Sequence, residues 1–89
     1  MKPPRVKERS LARLGPRGTK YFGLYHYDKR LVEIEPKQNE EERLDTLVHE
    51  LLHHIDSQYK LGLTEEQVAE AATMVSRVQW SAGYRRVKL

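Results

Sequence analysis

Between positions 44 and 59 the apolar residues return every three or four places: Leu44, Leu47, Val48, Leu51, Leu52, Ile55 and Tyr59. That is the stripe of an amphipathic helix, expected to begin near Asn39 or Glu40, where Glu40, Glu41 and Glu42 suit the positive end of the helix dipole. Leu61-Gly62-Leu63 interrupts it. Thr64 with Gln67 then spells a capping box, and a second helix follows through Val68, Ala71, Ala72, Val75 and Val78 to near Gly83. Upstream the period shortens to two. Tyr21 to Tyr27 is rich in aromatic residues, Asp28-Lys29-Arg30 makes a turn, and Leu31-Val32-Glu33-Ile34-Glu35 alternates until Pro36 ends it. This predicts a β-hairpin with Val32 and Ile34 facing in and Leu31, Glu33 and Glu35 facing solvent. Val6 to Leu14 reads as a short helix closed by Gly15-Pro16. The expected fold is α+β: a short antiparallel sheet packed on two main helices, with a short N-terminal helix. Residues 1–19 form a basic N-terminal segment and 20–89 the domain.

Composition narrows what such a domain can use. With 89 residues, 38% of them hydrophobic and 33% charged, one thin core is all that the chain supports. It has no cysteine, so neither a disulfide nor a thiolate metal site reinforces that core. Metal binding through histidine and carboxylate remains open. No apolar run reaches the roughly 18–20 residues of a membrane helix, and Met1-Lys2-Pro3-Pro4 leads into charge, so a cytoplasmic protein is expected. The net charge of +3 is unevenly placed. Residues 1–20 carry a net +6, residues 28–70 a net −7, and Arg77, Arg85, Arg86 and Lys88 the rest. Basic ends around an acidic middle suit a nucleic-acid or acidic-protein partner, or tails that solvate the chain and fold back on its centre.

The chemistry concentrates in His49-Glu50-Leu51-Leu52-His53, an H-E-x-x-H motif inside the stronger helix. At i and i+4 two imidazoles stand one above the other and can close on one Zn²⁺, while Glu50 leans toward the open position and can take a proton from water there. At 100° per residue, His49, His53 and Asp56 cluster roughly 125° from the stripe centre between Val48 and Ile55, on a shoulder that shields a metal yet admits substrate. His54 falls on the opposite flank and is not expected to ligate. His26 reads as a sheet residue. Asp56 reads as an acceptor for a histidine N–H, a solvated side chain or, least readily, a ligand. Trp80 and Tyr84 read as caps on the core at the end of the second helix, and Arg85, Arg86 and Lys88 as a solvated tail.

A zinc site needs a third protein ligand, and the second helix offers Glu65, Glu66 and Glu70. Glu66 points furthest from the apolar stripe; Glu65 and Glu70 flank it at similar angles, so the helical wheel does not separate them. A strictly antiparallel helix pair sets Glu70 level with His53. A tight return after Asp56, helped by Gly62, favours Glu65.

The order of these segments resembles the zincin metallopeptidases, especially very short phage-type and mobile-element HExxH proteins. The resemblance spans roughly residues 20–86: the aromatic, glycine-containing hairpin, Asp45-Thr46-Leu47-Val48-His49-Glu50-Leu51-Leu52-His53, then Leu63-Thr64-Glu65-Glu66-Gln67-Val68, then Val78-Gln79-Trp80-Ser81-Ala82-Gly83-Tyr84-Arg85. It implies Zn²⁺ held by His49, His53 and Glu65, with Glu50 as general base. Glu65 followed three places on by Val68 matches the acidic-then-apolar pattern of such proteins; Glu70-Ala71 resembles the ligand segment of larger relatives and is the second choice. The chain lacks the extended subsites of larger zincins, and no oxyanion stabiliser is assignable.

The function expected from these readings is zinc-dependent hydrolysis of a peptide or protein substrate, laid along the outer edge of the hairpin with strand Leu31–Glu35 beside the cleft. The alternative is a zinc-stabilised binding module whose basic ends contact nucleic acid or a host protein.

Overall fold

The computed structural model describes residues 1–87 as a three-stranded mixed sheet and two helices, an α+β fold. The strands are β1 (Arg5–Glu8), β2 (Gly23–His26) and β3 (Leu31–Ile34), and the helices α1 (Glu40–Tyr59) and α2 (Glu65–Ser81). Both helices begin as their sequences ask. Asn39 accepts from the Glu42 N–H at the start of α1, and the full Thr64/Gln67 capping box opens α2. The β2–β3 hairpin is antiparallel, with Tyr25 opposite Val32 and Gly23 opposite Ile34.

The N-terminal segment departs from expectation. Residues 5–8 form a strand, not a helix, and pair in parallel with β3, Val6 beside Val32. A helix that short has little stability alone, whereas an extended chain satisfies the open edge of β3. The sheet is therefore mixed, in the order β1-β3-β2, and β3 is its central strand. The free edge beside the helices belongs to β2, not to Leu31–Glu35.

Both faces of β3 are covered. Val32 and Ile34 are fully buried on the face that α1 covers, as their alternation predicts, but Leu31, Glu33 and Glu35 are buried too. The chain after β1 crosses that second face: Arg9 reaches Glu33, and the N–H of the fully buried Leu11 donates to Glu35 Oε1 at 3.0 Å. Glu35 takes a second backbone donor, from Lys37, and the two hold its carboxyl below the usual carboxylate range. Glu35 reads as solvent-facing in sequence because the chain that covers it, at Leu11, lies 24 places away.

Helix α1 packs on the sheet with one side and on α2 with the other. Its buried side chains are Glu50 and His54, while the predicted stripe is half-buried and Tyr59 is exposed. A helix with neighbours on two sides has no single inward stripe, and the row Thr46, Glu50, His54 faces β2. Gly23 makes that approach possible: a Cβ there would lie 2.6 Å from Thr46 Cγ2 and 3.0 Å from Glu50 Cγ. On α2 the inward row is Val68, Ala72 and Ser76, so Val75 and Val78 of the predicted stripe are left exposed.

The basic ends fold back. Arg86 bridges Glu8 and Glu40, each at 2.7 Å, and Arg43 joins Glu8 at 2.8 Å, which lowers the Glu8 carboxyl pKa. Arg85 lies 3.4 Å over the Trp80 ring and donates to the Trp80 and Tyr84 carbonyls. Arg85 and Arg86 are therefore engaged rather than a free tail, and Lys88 lies outside the described residues. Tyr84 is exposed and caps no core; Trp80 is half-buried under Arg85. Among the described residues, no helix is long and apolar enough to cross a membrane.

Candidate metal centre

His49 and His53 project from α1 with ring centroids 5.0 Å apart. Their Nε2 atoms converge on one carboxylate. His49 Nε2 lies 2.7 Å from Glu65 Oε1 and His53 Nε2 lies 3.1 Å from Glu65 Oε2. Glu65 arrives from the first turn of α2 because the interhelix turn is tight. Lys60 adopts a left-handed conformation and Gly62 a second positive φ. Asp56 fastens that turn: its backbone carbonyl accepts from Lys60 and Leu61, and its Oδ1 accepts the Leu63 N–H at 3.1 Å. Asp56 thus organises the loop that presents Glu65, a role that its shared helix face with the histidines did not suggest. Glu70 is exposed one and a half turns further along α2 and lines a different surface, away from the histidines.

Glu50 occupies the buried side of the cluster. One donor atom each of His49, Glu50 and His53 lies within 4.8 Å of the other two, so Glu50 is near enough to be considered a ligand itself. Its surroundings suit a proton acceptor better. It is 6% exposed, its Oε2 has no hydrogen-bond partner, and burial lifts its pKa to about 7, with the Glu65 charge adding and His53 opposing. Glu65 meets both imidazoles more closely, and from outside. Two imidazoles and a carboxylate are a donor set that zinc takes in catalytic sites while keeping one position open. The orphaned Glu50 oxygen lies beside that donor set, on its buried side.

The histidine that follows the motif has a structural task. His54 is 2% exposed, its Nε2 donates to the Lys2 carbonyl at 2.9 Å, and its Nδ1 accepts from the Tyr25 hydroxyl at 2.7 Å. These bonds fasten α1 to β2 and to the chain ahead of β1, which fixes the rotation of the helix carrying His49 and His53. His26 sits in β2, 2.6 Å from Glu33 Oε1 on the far face of the sheet. Neither takes part in the cluster.

The cluster lies in an open groove of about 770 Å³. Tyr21, Phe22 and Leu24 line one side of it, and Glu42 and Asp45, further up α1, line another. Phe22 C=O accepts from Glu35 N–H, so strand alternation sends the amides of Leu24 and His26 to β3 and those of Gly23 and Tyr25 to the free edge. No protein family, curated protein or solved structure matches the chain.

Proposed function

We propose that the protein is a cytoplasmic zinc-dependent peptidase of the minimal zincin type. The observation that carries this reading is the meeting of His49 Nε2 and His53 Nε2 on the Glu65 carboxylate, with the unpartnered Glu50 Oε2 on the buried side. His49, His53 and Glu65 hold the ion; when bound, zinc supplies a Lewis acid that polarises the scissile carbonyl and acidifies water. Glu50 Oε2 accepts a proton from the attacking water as its oxygen adds to the carbonyl carbon. The same carboxyl then delivers that proton to the amine nitrogen as the C–N bond breaks. An extended peptide pairs with the free edge of β2 through Gly23 and Tyr25, which holds the scissile bond over the cluster without a large protein subsite.

The test is Glu50→Gln assayed on a proteome-derived peptide mixture in parallel with metal analysis. The expected outcome is one zinc per chain in both proteins and cleavage only by the parent. Equal cleavage by the variant excludes Glu50 as the base. Zinc binding without cleavage by the parent instead favours the binding-module reading.

A further inference from the structure

The side of α2 turned away from α1 carries apolar residues that the described residues leave uncovered. Met74 is 68% exposed and Val78 is 64% exposed. They lie roughly 160° and 120° round the helix from the inward row Val68, Ala72, Ser76, too far to reach α1. Beside Met74 is a shallow depression bounded by Ala69, Glu70, Thr73, Arg77 and Val78. Glu70 and Arg77 are both exposed, and among the described residues neither has an ion pair or hydrogen bond. Seven residues apart, they fall on one line along the helix, two turns from each other.

That arrangement is self-complementary. If a second α2 is turned through 180° about an axis through Met74, position 70 of one chain comes opposite position 78 of the other and beside position 77, within about one helical rise of 1.5 Å. Glu70 of each chain then meets Arg77 of the other, and two ion pairs flank a Met74–Met74 contact. Each Met74 enters the depression on the opposite helix, whose walls at i, i+3, i+4 and i+7 are the hole that a coiled-coil knob fills. A parallel pairing sets Glu70 against Glu70 and Arg77 against Arg77. Neither a lipid surface nor a nucleic acid supplies a partner for Glu70. We propose that this face of α2 binds a second copy of the chain in antiparallel register, through Met74 and Val78 and reciprocal Glu70–Arg77 pairs. Glu65 lies on the opposite side of α2, toward α1, so the dimer leaves the groove open. Two large apolar residues per copy fall short of the roughly 800 Å² per partner of a standard interface, which places the dimer in the micromolar range.

Sedimentation equilibrium on the full chain from about 1 µM to about 1 mM tests this, spanning the expected affinity. The apparent mass should rise from one chain to two. Glu70→Arg and Arg77→Glu, each shown to be folded by circular dichroism, should weaken self-association at least about tenfold by turning both pairs into like-charge contacts. An equimolar mixture of the two variants should dimerise at least as tightly as the parent, and the double exchange Glu70→Arg/Arg77→Glu should match it. A parent that stays monomeric throughout, single variants that dimerise like the parent, or a mixture that fails to associate each overturns the proposal.

Discussion

Among the described residues, two clusters place a glutamate oxygen within hydrogen-bond distance of an imidazole, and they have opposite characters. On the far face of the sheet, Glu33 takes Arg9 in a bidentate pair at 2.6 and 2.9 Å and His26 at 2.6 Å. Every oxygen there is satisfied, and the Arg9 guanidinium above all holds the Glu33 carboxyl down at about 2. On the near face, Glu65 joins His49 and His53, no guanidinium closes the set, and Glu50 beside them keeps an oxygen without a partner. An arginine ends a network because it never gives up its proton; two imidazoles leave lone pairs that a cation can use. The first cluster fastens the N-terminal chain to the sheet. The second stores an unmet demand, which is why the reaction is proposed there.

The largest contrast between the clusters is in metal affinity. His53→Ala removes a ligand donor and should weaken zinc binding by at least about a hundredfold, beyond the 10–100-fold typical of losing an outer partner. His26→Ala should leave the affinity within experimental error. Competition titration against a chromogenic chelator measures both. Equal losses would mean that the near-face histidines are not special.

Next comes stability. Glu33→Gln leaves Arg9 without its carboxylate and should cost about 1.5 kcal/mol, the low end of the range for hydrogen bonds to charged groups, because Arg9 is half exposed and screened by water. Its pH dependence has a definite sign. The Glu33 pKa falls from the ordinary 4.5 in the unfolded chain to about 2 in the folded one. The contribution is therefore complete above about 4.5 and is lost as pH falls through about 2. Urea denaturation of parent and variant between these pH values should show the stability gap closing as acid is added. A gap constant with pH would mean that the carboxylate charge contributes nothing.

The two clusters also differ in how legible they were. The near-face histidines and Glu50 fall within five consecutive places on one helix, where a period of 3.6 fixes relative positions without any tertiary knowledge. Both helix starts were legible locally too, α1 from the change of period near Asn39 or Glu40 with its three glutamates and α2 from the Thr64/Gln67 capping box. The far-face cluster joins residues 24 places apart, and Arg-Val-Lys-Glu at positions 5–8 has no periodicity to announce a strand. What it pairs with is decided by the open edge of β3. The buried row Glu50 and His54 was hidden by assuming a single stripe on a helix that has neighbours on two sides. His54 carried one usable sign: a third histidine beside the motif, with tyrosines in the preceding hairpin to partner it.

The smallest expected effect bears on the one contact that joins the near-face cluster across the helix turn. Glu65 and Glu70 are equivalent by helical wheel, and the turn decides between them. Lys60 and Gly62 at positive φ reverse the chain within a few residues, and Asp56 Oδ1 on the Leu63 N–H fixes where α2 begins. A longer loop would have carried Glu65 past His53 and brought Glu70 level with it. Glu65 is also largely exposed, with 69% of its side chain open to solvent, so water competes for its oxygens and its loss costs less than that of a histidine. Glu65→Gln keeps shape and hydrogen bonding while removing the charge, and should weaken zinc binding about tenfold. Glu70→Gln should leave zinc affinity unchanged. Asp56→Ala tests the same geometry indirectly, since it touches no histidine. By freeing the turn it should lower zinc affinity less than Glu65→Gln does, and added to Glu65→Gln it should cost little more, because both act through one carboxylate. Additive losses in that double variant, or a collapse of zinc binding in Glu70→Gln alone, would reassign the third ligand.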